Sequence, residues 1–383
     1  MKCALIVGCV LCLAQQRAMA VTIDHGAIAG VTNVPQAVMH KLGILRWFFS
    51  HASVGGNMIT GMNVLRQSDT NRYRMSIYNY DGDNGDSSYH GGIATVGTFG
   101  QDDYRADDPP VTSNGVIYEC QRGNPVWINK LVCFSNSVAS SGWRFPQVNV
   151  VMDKFCWIDP DANPTNYCAS MNSLEGAFPE TLFVYLTMPL TTETAGTDND
   201  LRNGFNRYLR SFCQANNKWL LDVADVEAWA TNAVQSTYRS GGVTNQLMVS
   251  GYAVGAGFGD YHLNVTGRRQ VALAWYALGA ALFQQDRDGD GMTDGDELIA
   301  GTRPKDASSR LLFTGSAGSK SNLVLNWTSS SNRYYSIQAS SNLLSGGAWT
   351  NVALNIPART PQNSYTTSVG ALDAIFYRVG VQQ

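Results

Sequence analysis

Short apolar segments alternate with amphipathic segments along most of this chain. The apolar segments cover residues 44–49, 148–152, 182–188 and 219–223. Residues with helical spacing lie between and after them: Met58, Met62 and Leu65; Leu201, Phe205, Leu209 and Phe212; and Val271, Trp275, Leu278 and Leu282. Short, continuously apolar strands separated by helices are typical of a parallel sheet that is covered by helices. The sequence therefore predicts an α/β fold.

Two regions depart from this alternation. Residues 67–145 are rich in Gly, Asp, Ser and Tyr and show little periodicity, which predicts long loops with one β-hairpin at most. The acidic stretch 81–86 in this region is either a second cation site or a solvated turn.

After Pro304, short alternating segments at 311–313, 323–327, 334–337 and 375–379 are separated by Ser, Asn and Gly. This pattern predicts a small β-sandwich of about seventy residues. Trp327 and Trp349 either stack on sugar rings or form the core, and the small size of the module favours the core.

A twelve-residue acidic loop, 286–297, lies between these two parts. Asp286, Asp288, Asp290 and Asp294 fall at loop positions 1, 3, 5 and 9, Gly291 at position 6, Met292 at position 7 and Glu297 at position 12. Carboxylates, the Met292 carbonyl and a bidentate Glu297 are the oxygen ligands that Ca²⁺ prefers at this spacing. The loop resembles the short repeats of thrombospondin type 3 and dockerin modules. We expect a structural calcium ion that stiffens the junction.

The first twenty residues have the features of a secretory signal: Lys2, an apolar stretch over 3–14, and small residues at 18–20. The expected organisation is a signal peptide (1–20), an α/β domain (21–284), a calcium-binding linker (285–305) and a β-sandwich module (306–383). Without the signal, 25 basic and 30 acidic residues remain, a balance that does not favour nucleic acid. Later apolar runs are too short to span a bilayer.

Five cysteines remain after the signal: Cys120, Cys133, Cys156, Cys168 and Cys213. An exported protein can form disulfides, and the pairs predicted from proximity in sequence are Cys120–Cys133 and Cys156–Cys168. Cys213 lies in a helical pattern and is expected to be a buried thiol.

Ser53 and His262 are the candidates for chemistry. Ser53 follows the first apolar segment and precedes a helix, so it is either a helix cap or a nucleophile at the carboxyl end of a strand. His262 precedes the last helix of the α/β region, where a loop can deliver a base to such a nucleophile.

The stretches Phe48-Phe-Ser-His-Ala-Ser53-Val-Gly55 and Asp260-Tyr-His262-Leu-Asn-x-x-Gly267 resemble the SGNH (GDSL-like) hydrolase superfamily, in a branch with Ser-Val-Gly at the nucleophile. The resemblance covers residues 40–284. It implies a flavodoxin-like three-layer fold, Ser53 as nucleophile and oxyanion donor, His262 as base, and Asp260 as the group that orients the imidazole.

Three departures from the family pattern concern the same site. Asp260 is two residues before His262, whereas the family has its aspartate three before. The oxyanion asparagine after the central strand is missing, since the chain has Asp153-Lys-Phe-Cys-Trp-Ile-Asp159 there. The second oxyanion glycine is either Gly97 or Gly100. Lys154 and Asp159 either line the pocket in place of the asparagine or form a solvated strand end, and His51 either assists an oxyanion or is structural.

Two functions follow from these residues. One is a secreted serine hydrolase that acts on a small ester or on acetylated glycans. The other is a non-catalytic SGNH-like protein that binds carbohydrate or anchors a surface protein. The joint presence of Ser53 and His262 favours the enzyme, and the missing asparagine favours the binder.

Overall fold

The computed structural model describes residues 20–79, 116–141, 148–194, 197–255, 259–318, 322–342, 348–368 and 375–382. A seven-stranded sheet lies at its centre. In chain order its strands are β1 (Val21–Ile23), β2 (Arg46–His51), β3 (Ser76–Asn79), β4 (Val116–Gln121), β5 (Val150–Asp153), β6 (Leu182–Leu186) and β7 (Trp219–Leu221). Their spatial order is β1-β7-β6-β5-β2-β4-β3, and all neighbouring pairs are parallel. The α/β prediction is confirmed.

Helices cover both faces of this sheet. In chain order the helices of the described residues are α1 (His25–Ile28), α2 (Gln36–Leu42), α3 (Val54–Ser68), α4 (Trp127–Ser141), α5 (Pro164–Ala177), α6 (Thr197–Ala215), α7 (Val223–Ala228), α8 (Val265–Leu282) and α9 (Asp294–Ala300). Trp47 and Phe49 of β2 belong to the core that includes α3 and α8, whereas Phe48 between them belongs to the core with α4, α5 and α6. Successive strand residues point to opposite faces, so both faces of each strand must be apolar.

Two features of the sheet differ from the sequence-based prediction. β1 precedes the segment that we expected to be the first strand, and it adds an edge to the sheet beside β7. In the region 67–145, the described residues 116–141 form a parallel strand and a helix, not loops: β4 pairs with both β2 and β3, and α4 follows it. Leu201, expected on the apolar face of α6, is 48% exposed, while Phe205 and Leu209 are buried.

Smaller antiparallel sheets complete the described structure. β8 (Thr237–Ser240) pairs with β9 (Val243–Gln246), and β10 (Ala253–Gly255) pairs with β11 (Asp260–Leu263). Two three-stranded sheets near the C-terminus contain β12 (Phe313–Gly318), β13 (Asn322–Thr328), β14 (Tyr334–Ser340), β15 (Thr350–Pro357), β16 (Gln362–Ser368) and β17 (Phe376–Gln382).

The core of these C-terminal sheets consists of Leu325, Trp327, Tyr335 and Ile337. Trp327 is fully buried, as the core interpretation predicted. Trp349 is half-buried instead, and the Arg378 guanidinium lies 4.4 Å from the centre of its ring. The division of the chain into domains stays a prediction.

The buried cysteines are part of the packing. Cys156, Cys168 and Cys213 are free thiols, so the predicted Cys156–Cys168 disulfide is wrong. Cys156 lies in the turn after β5, whereas Cys168 and Cys213 face the core on α5 and α6. Burial raises the pKa of Cys168 to about 12. The side chain of Cys120 lies outside the described residues, and its pairing with Cys133 stays a prediction. Among the described helices, none is long and apolar enough to cross a bilayer.

Candidate active site

The candidate site lies at the carboxyl edge of the parallel sheet. β3 and β4 lie on one side of β2, and β5, β6 and β7, which come later in the chain, lie on the other. Such a change of direction leaves a crevice beyond the strand ends, where ligands bind in open α/β sheets. Ser53 is located there, between β2 and α3.

Ser53 adopts a backbone conformation that is unfavourable for serine. Its φ of 51° and ψ of −107° lie outside the usual regions for an L-residue, at a cost of roughly 1–3 kcal/mol. Its side chain makes no capping hydrogen bond to α3, so the cap interpretation is not what the structure shows. The Oγ atom points towards His262 instead, 2.5 Å from Nε2.

His262 is held on β11, just before α8. Asn264 caps α8 by accepting hydrogen bonds from Thr266 N and Gly267 N, and this fixes the exit of the chain from β11. α8 also packs against α3, the helix that follows Ser53. At Gly61 of α3, a Cβ atom would lie only 2.2 Å from the Arg268 carbonyl oxygen, so only glycine permits this approach.

Asp260 contacts the other ring nitrogen of His262. Its Oδ1 atom is 2.6 Å from Nδ1 and also accepts a hydrogen bond of 3.0 Å from the His262 backbone N–H. The hydrogen bond from the backbone N–H lowers the pKa of Asp260 most, and the hydrogen bond from the imidazole ring lowers it further. A proton on Nδ1 leaves Nε2 free to accept from Ser53. The spacing of two residues is therefore compatible with an orienting contact, because the carboxylate turns back onto the residue two further along.

A buried polar network supports the strand ends beneath Ser53. The Arg122 guanidinium is fully buried, donates to Ser50 Oγ at 3.0 Å and to the Lys154 carbonyl at 2.9 Å, and lies 2.9 Å from Asp153 Oδ1. Burial raises the pKa of Asp153, and Arg122 opposes that rise. Arg122 links β2, β4 and β5 at the edge that carries Ser53. The sequence gives no signal for Arg122, because its contact with Ser50 crosses 72 residues of sequence.

His51 is a buried histidine at the end of β2, two residues before Ser53. Its Nε2 lies 3.1 Å from Glu119 Oε1, and its ring stacks on Phe49 at a centroid distance of 4.7 Å. A Cβ atom at position 55 would lie 2.3 Å from the His51 Cβ, so Gly55 is required here. The side chain is fully buried, which agrees with the structural interpretation of His51.

Lys154 and Asp159 are both buried, so the solvated strand end is wrong. Asp159 pairs with Lys130 of α4 at 2.6 Å and accepts from the Cys156 N–H at 2.8 Å. Burial lowers the pKa of Lys154 to about 8 and raises the pKa of Glu227 to about 7. Glu227 accepts from the Leu190 N–H at 2.7 Å, in the turn after β6. Asp159 and Glu227 thus accept hydrogen bonds from backbone N–H groups in the turns after β5 and β6.

Other predicted positions lie outside the described residues. These are the candidate oxyanion glycines Gly97 and Gly100 and the acidic segment 81–86. In the described part of the site, the predicted oxyanion donor is the Ser53 N–H at the start of α3, a helix of 15 residues. The amino end of a helix favours negative charge.

The acidic loop forms a compact group of carboxylates. One oxygen each from Asp286, Asp288 and Asp290 lie within 4.8 Å of one another. Gly291 has a φ of 96°, as the turn at position 6 requires. Asp294 pairs with Arg287 instead, through the Arg287 Nε and through the backbone N–H at 3.0 Å. It is thus outside the carboxylate group.

Glu297 is fully buried beside this group. Among the described residues, no hydrogen-bond partner is found for its Oε2, nor for Oδ2 of Asp288 and of Asp290. Burial, together with Asp288 and Asp290, raises the pKa of Glu297 to about 9. The guanidinium of Arg310 lies 3.8 Å from Asp290 Oδ2 without a hydrogen bond. Buried carboxylate oxygens without hydrogen bonds are costly, and a cation among them would lower that cost. The donor set therefore fits a hard divalent cation.

The loop is attached to both neighbouring parts of the molecule. At the end of α9, the Leu298 carbonyl accepts a hydrogen bond of 2.8 Å from Asn149, just before β5, and the Ile299 carbonyl accepts one of 2.6 Å from Arg333, just before β14. Asn149 also accepts from the Arg46 N–H at the start of β2. The loop thus lies at the amino edge of the parallel sheet, opposite Ser53.

Comparison with known proteins gives no match to a family or a curated sequence, and distant similarity to solved structures. The fold is similar to the crystal structure of a protein from Bacteroides fragilis described as a putative acylhydrolase, with a TM-score of 0.32 and 10% sequence identity. The match covers 61% of this chain and 86% of the other. At this TM-score the similarity carries no argument about activity.

Proposed function

We propose that the protein is a serine hydrolase that cleaves ester or acetyl groups through an acyl-enzyme. The observation that carries the proposal is the continuous contact from Ser53 Oγ to His262 Nε2, at 2.5 Å, and from His262 Nδ1 to Asp260 Oδ1, at 2.6 Å. Nucleophile, base and orienting acid in this order are the arrangement of acyl-transfer enzymes. The strained φ of Ser53 supports it, because such strain clusters at functional sites.

In the proposed reaction, Ser53 Oγ attacks the ester carbonyl carbon while His262 Nε2 takes the hydroxyl proton. The carbonyl oxygen becomes an oxyanion near the Ser53 N–H and the amino end of α3. Collapse breaks the ester bond, and His262 gives its proton to the departing alcohol oxygen. Water, deprotonated by His262, then attacks the acyl-Ser53 carbonyl. The second collapse releases the acid and returns the proton to Ser53.

The absent asparagine sets an expectation for the rate. One oxyanion donor contributes about 10²–10³ in turnover, so a site without the asparagine is expected to be slow on unactivated esters. We propose that the substrate is a small ester or an acetylated glycan and that the protein is secreted. Support for export is the arrangement of Lys2, the apolar stretch and the small residues at 18–20.

Covalent labelling tests the proposal. The purified protein is treated with a fluorophosphonate, and the adduct is located by mass spectrometry. The expected result is one adduct, on Ser53, because only a serine with an adjacent base is nucleophilic at neutral pH. Folded protein that takes up no adduct would rule out the hydrolase and favour the non-catalytic, carbohydrate-binding alternative.

We also propose that the acidic loop binds one structural Ca²⁺ through Asp286, Asp288, Asp290 and Glu297, with the Met292 carbonyl as a further ligand. The support is the loop spacing and the buried carboxylate oxygens that lack a hydrogen bond among the described residues. The ion would neutralise these charges and hold α9 between the α/β region and the C-terminal sheets. Asp294 is left out of this ligand set because it pairs with Arg287.

Calcium removal is expected to lower the melting temperature. Free calcium at 100 times its Kd stabilises the folded state by about 2.7 kcal/mol, which corresponds to roughly 3–4 °C for a protein of this size. Differential scanning fluorimetry in calcium and in excess chelator measures the shift. Glu297→Gln should abolish it, whereas Asp296→Asn, which alters an acid in the same helix outside the ligand set, should retain it. Equal melting of the wild type in both buffers would contradict the site.

A further inference from the structure

The strand that carries His262 has one edge facing α3. β11 pairs with β10 through Ala253–Leu263 and Gly255–Asp260, and the register shifts between these two pairs. Such a short ladder with a bulge holds a strand weakly. The position of the imidazole therefore depends on what contacts the other edge of β11.

Asn57 makes that contact. Its side-chain Oδ1 accepts a hydrogen bond of 2.8 Å from the backbone N–H of Leu263, the residue after His262. Asn57 is 8% exposed and lies one helical turn after Ser53 in α3. A buried backbone N–H must be paired, so this bond links the first turn of the nucleophile helix to the strand of the base.

We propose that Asn57 is a positioning residue, which sets the distance between Ser53 and His262 by holding the free edge of β11 against α3. This inference rests on the proposed hydrolase function. Its side chain acts through the Leu263 N–H and not on the substrate. An error of about 1 Å in the placement of reacting groups costs on the order of 10² in rate, so one hydrogen bond at this junction has a large effect on turnover.

Two variants separate positioning from packing. Asn57→Ala removes the acceptor and is expected to lower kcat for an activated ester by about 10–100-fold, with KM within about twofold. Asn57→Asp keeps an oxygen acceptor of the same shape and is expected to retain kcat within about fivefold. Thermal melting of both variants verifies that they are folded. Wild-type kcat in Asn57→Ala would overturn the proposal, as would equal losses in both variants.

Hydrogen exchange gives a readout that does not need activity. The peptide containing Leu263 is expected to exchange at least about tenfold faster in Asn57→Ala than in the wild type, and unchanged in Asn57→Asp, because the lost bond exposes this amide. Unchanged exchange in Asn57→Ala would overturn the role of Asn57 in holding β11. If Ser53 is not labelled by a fluorophosphonate but exchange responds as expected, the hydrolase proposal fails and the structural link stands.

Discussion

Ser53→Ala is expected to reduce kcat/KM for an activated ester by about 10⁴-fold or more, because members of a catalytic triad act as a unit and the loss of one removes the whole covalent route. Hydrolysis of a p-nitrophenyl ester, followed by absorbance, measures the effect. The hydroxyl is the only group removed, and alanine inherits the same backbone φ of 51°. We therefore expect the melting temperature to stay near that of the wild type.

Two further variants make this result specific. Ser68→Ala removes a hydroxyl at the far end of the same helix, which bonds the Leu65 carbonyl at 2.6 Å, and should leave activity unchanged. Ser53→Gly should be as inactive as Ser53→Ala and at least as stable, since glycine adopts positive φ without strain. If Ser53→Ala retains activity, hydrolysis comes from another group and the proposed triad is wrong.

The sheet was predictable from the sequence where the local pattern is unambiguous. Strands buried on both faces read as continuous apolar runs, which is why β2, β5, β6 and β7 could be recognised. β4 and α4 were missed because the surrounding polar, Gly-rich composition masked a short strand and its helix. β1 has three residues, fewer than any periodicity requires.

The residues of the candidate site were also predictable only in part. Ser53 and His262 could be singled out because each stands at a junction between strand and helix, and a parallel sheet brings such junctions to one edge. Asn57 and Arg122 could not, since their contacts cross 206 and 72 residues of sequence and leave no local pattern. The Cys156–Cys168 prediction failed for a related reason. Two residues close in sequence need not face each other in the fold.

Asp260→Ala is expected to lower kcat by about 10³–10⁴-fold, in the range reported for loss of the orienting acid in a serine protease triad. Alanine removes both bonds that Oδ1 makes, to His262 Nδ1 and to the His262 N–H, and it also removes the negative charge that stabilises the imidazolium. The Asp260 and His262 side chains are 45% and 39% exposed, so water can partly replace the carboxylate. We therefore expect residual activity above that of Ser53→Ala.

The comparison with Asp260→Asn separates orientation from charge. Because one oxygen of Asp260 accepts both bonds, the amide oxygen of asparagine can accept both as well, and the tautomer of His262 is preserved. Only the charge is lost, so kcat should fall by about 10–100-fold in Asp260→Asn, a smaller loss than in Asp260→Ala. Glu193→Gln, which neutralises an acid near Tyr261 of the same strand, should have little effect on kcat. If Asp260→Asn is the more damaging variant, its amide nitrogen faces the imidazole and imposes the wrong tautomer. If neither Asp260 variant changes kcat, His262 is oriented by another group.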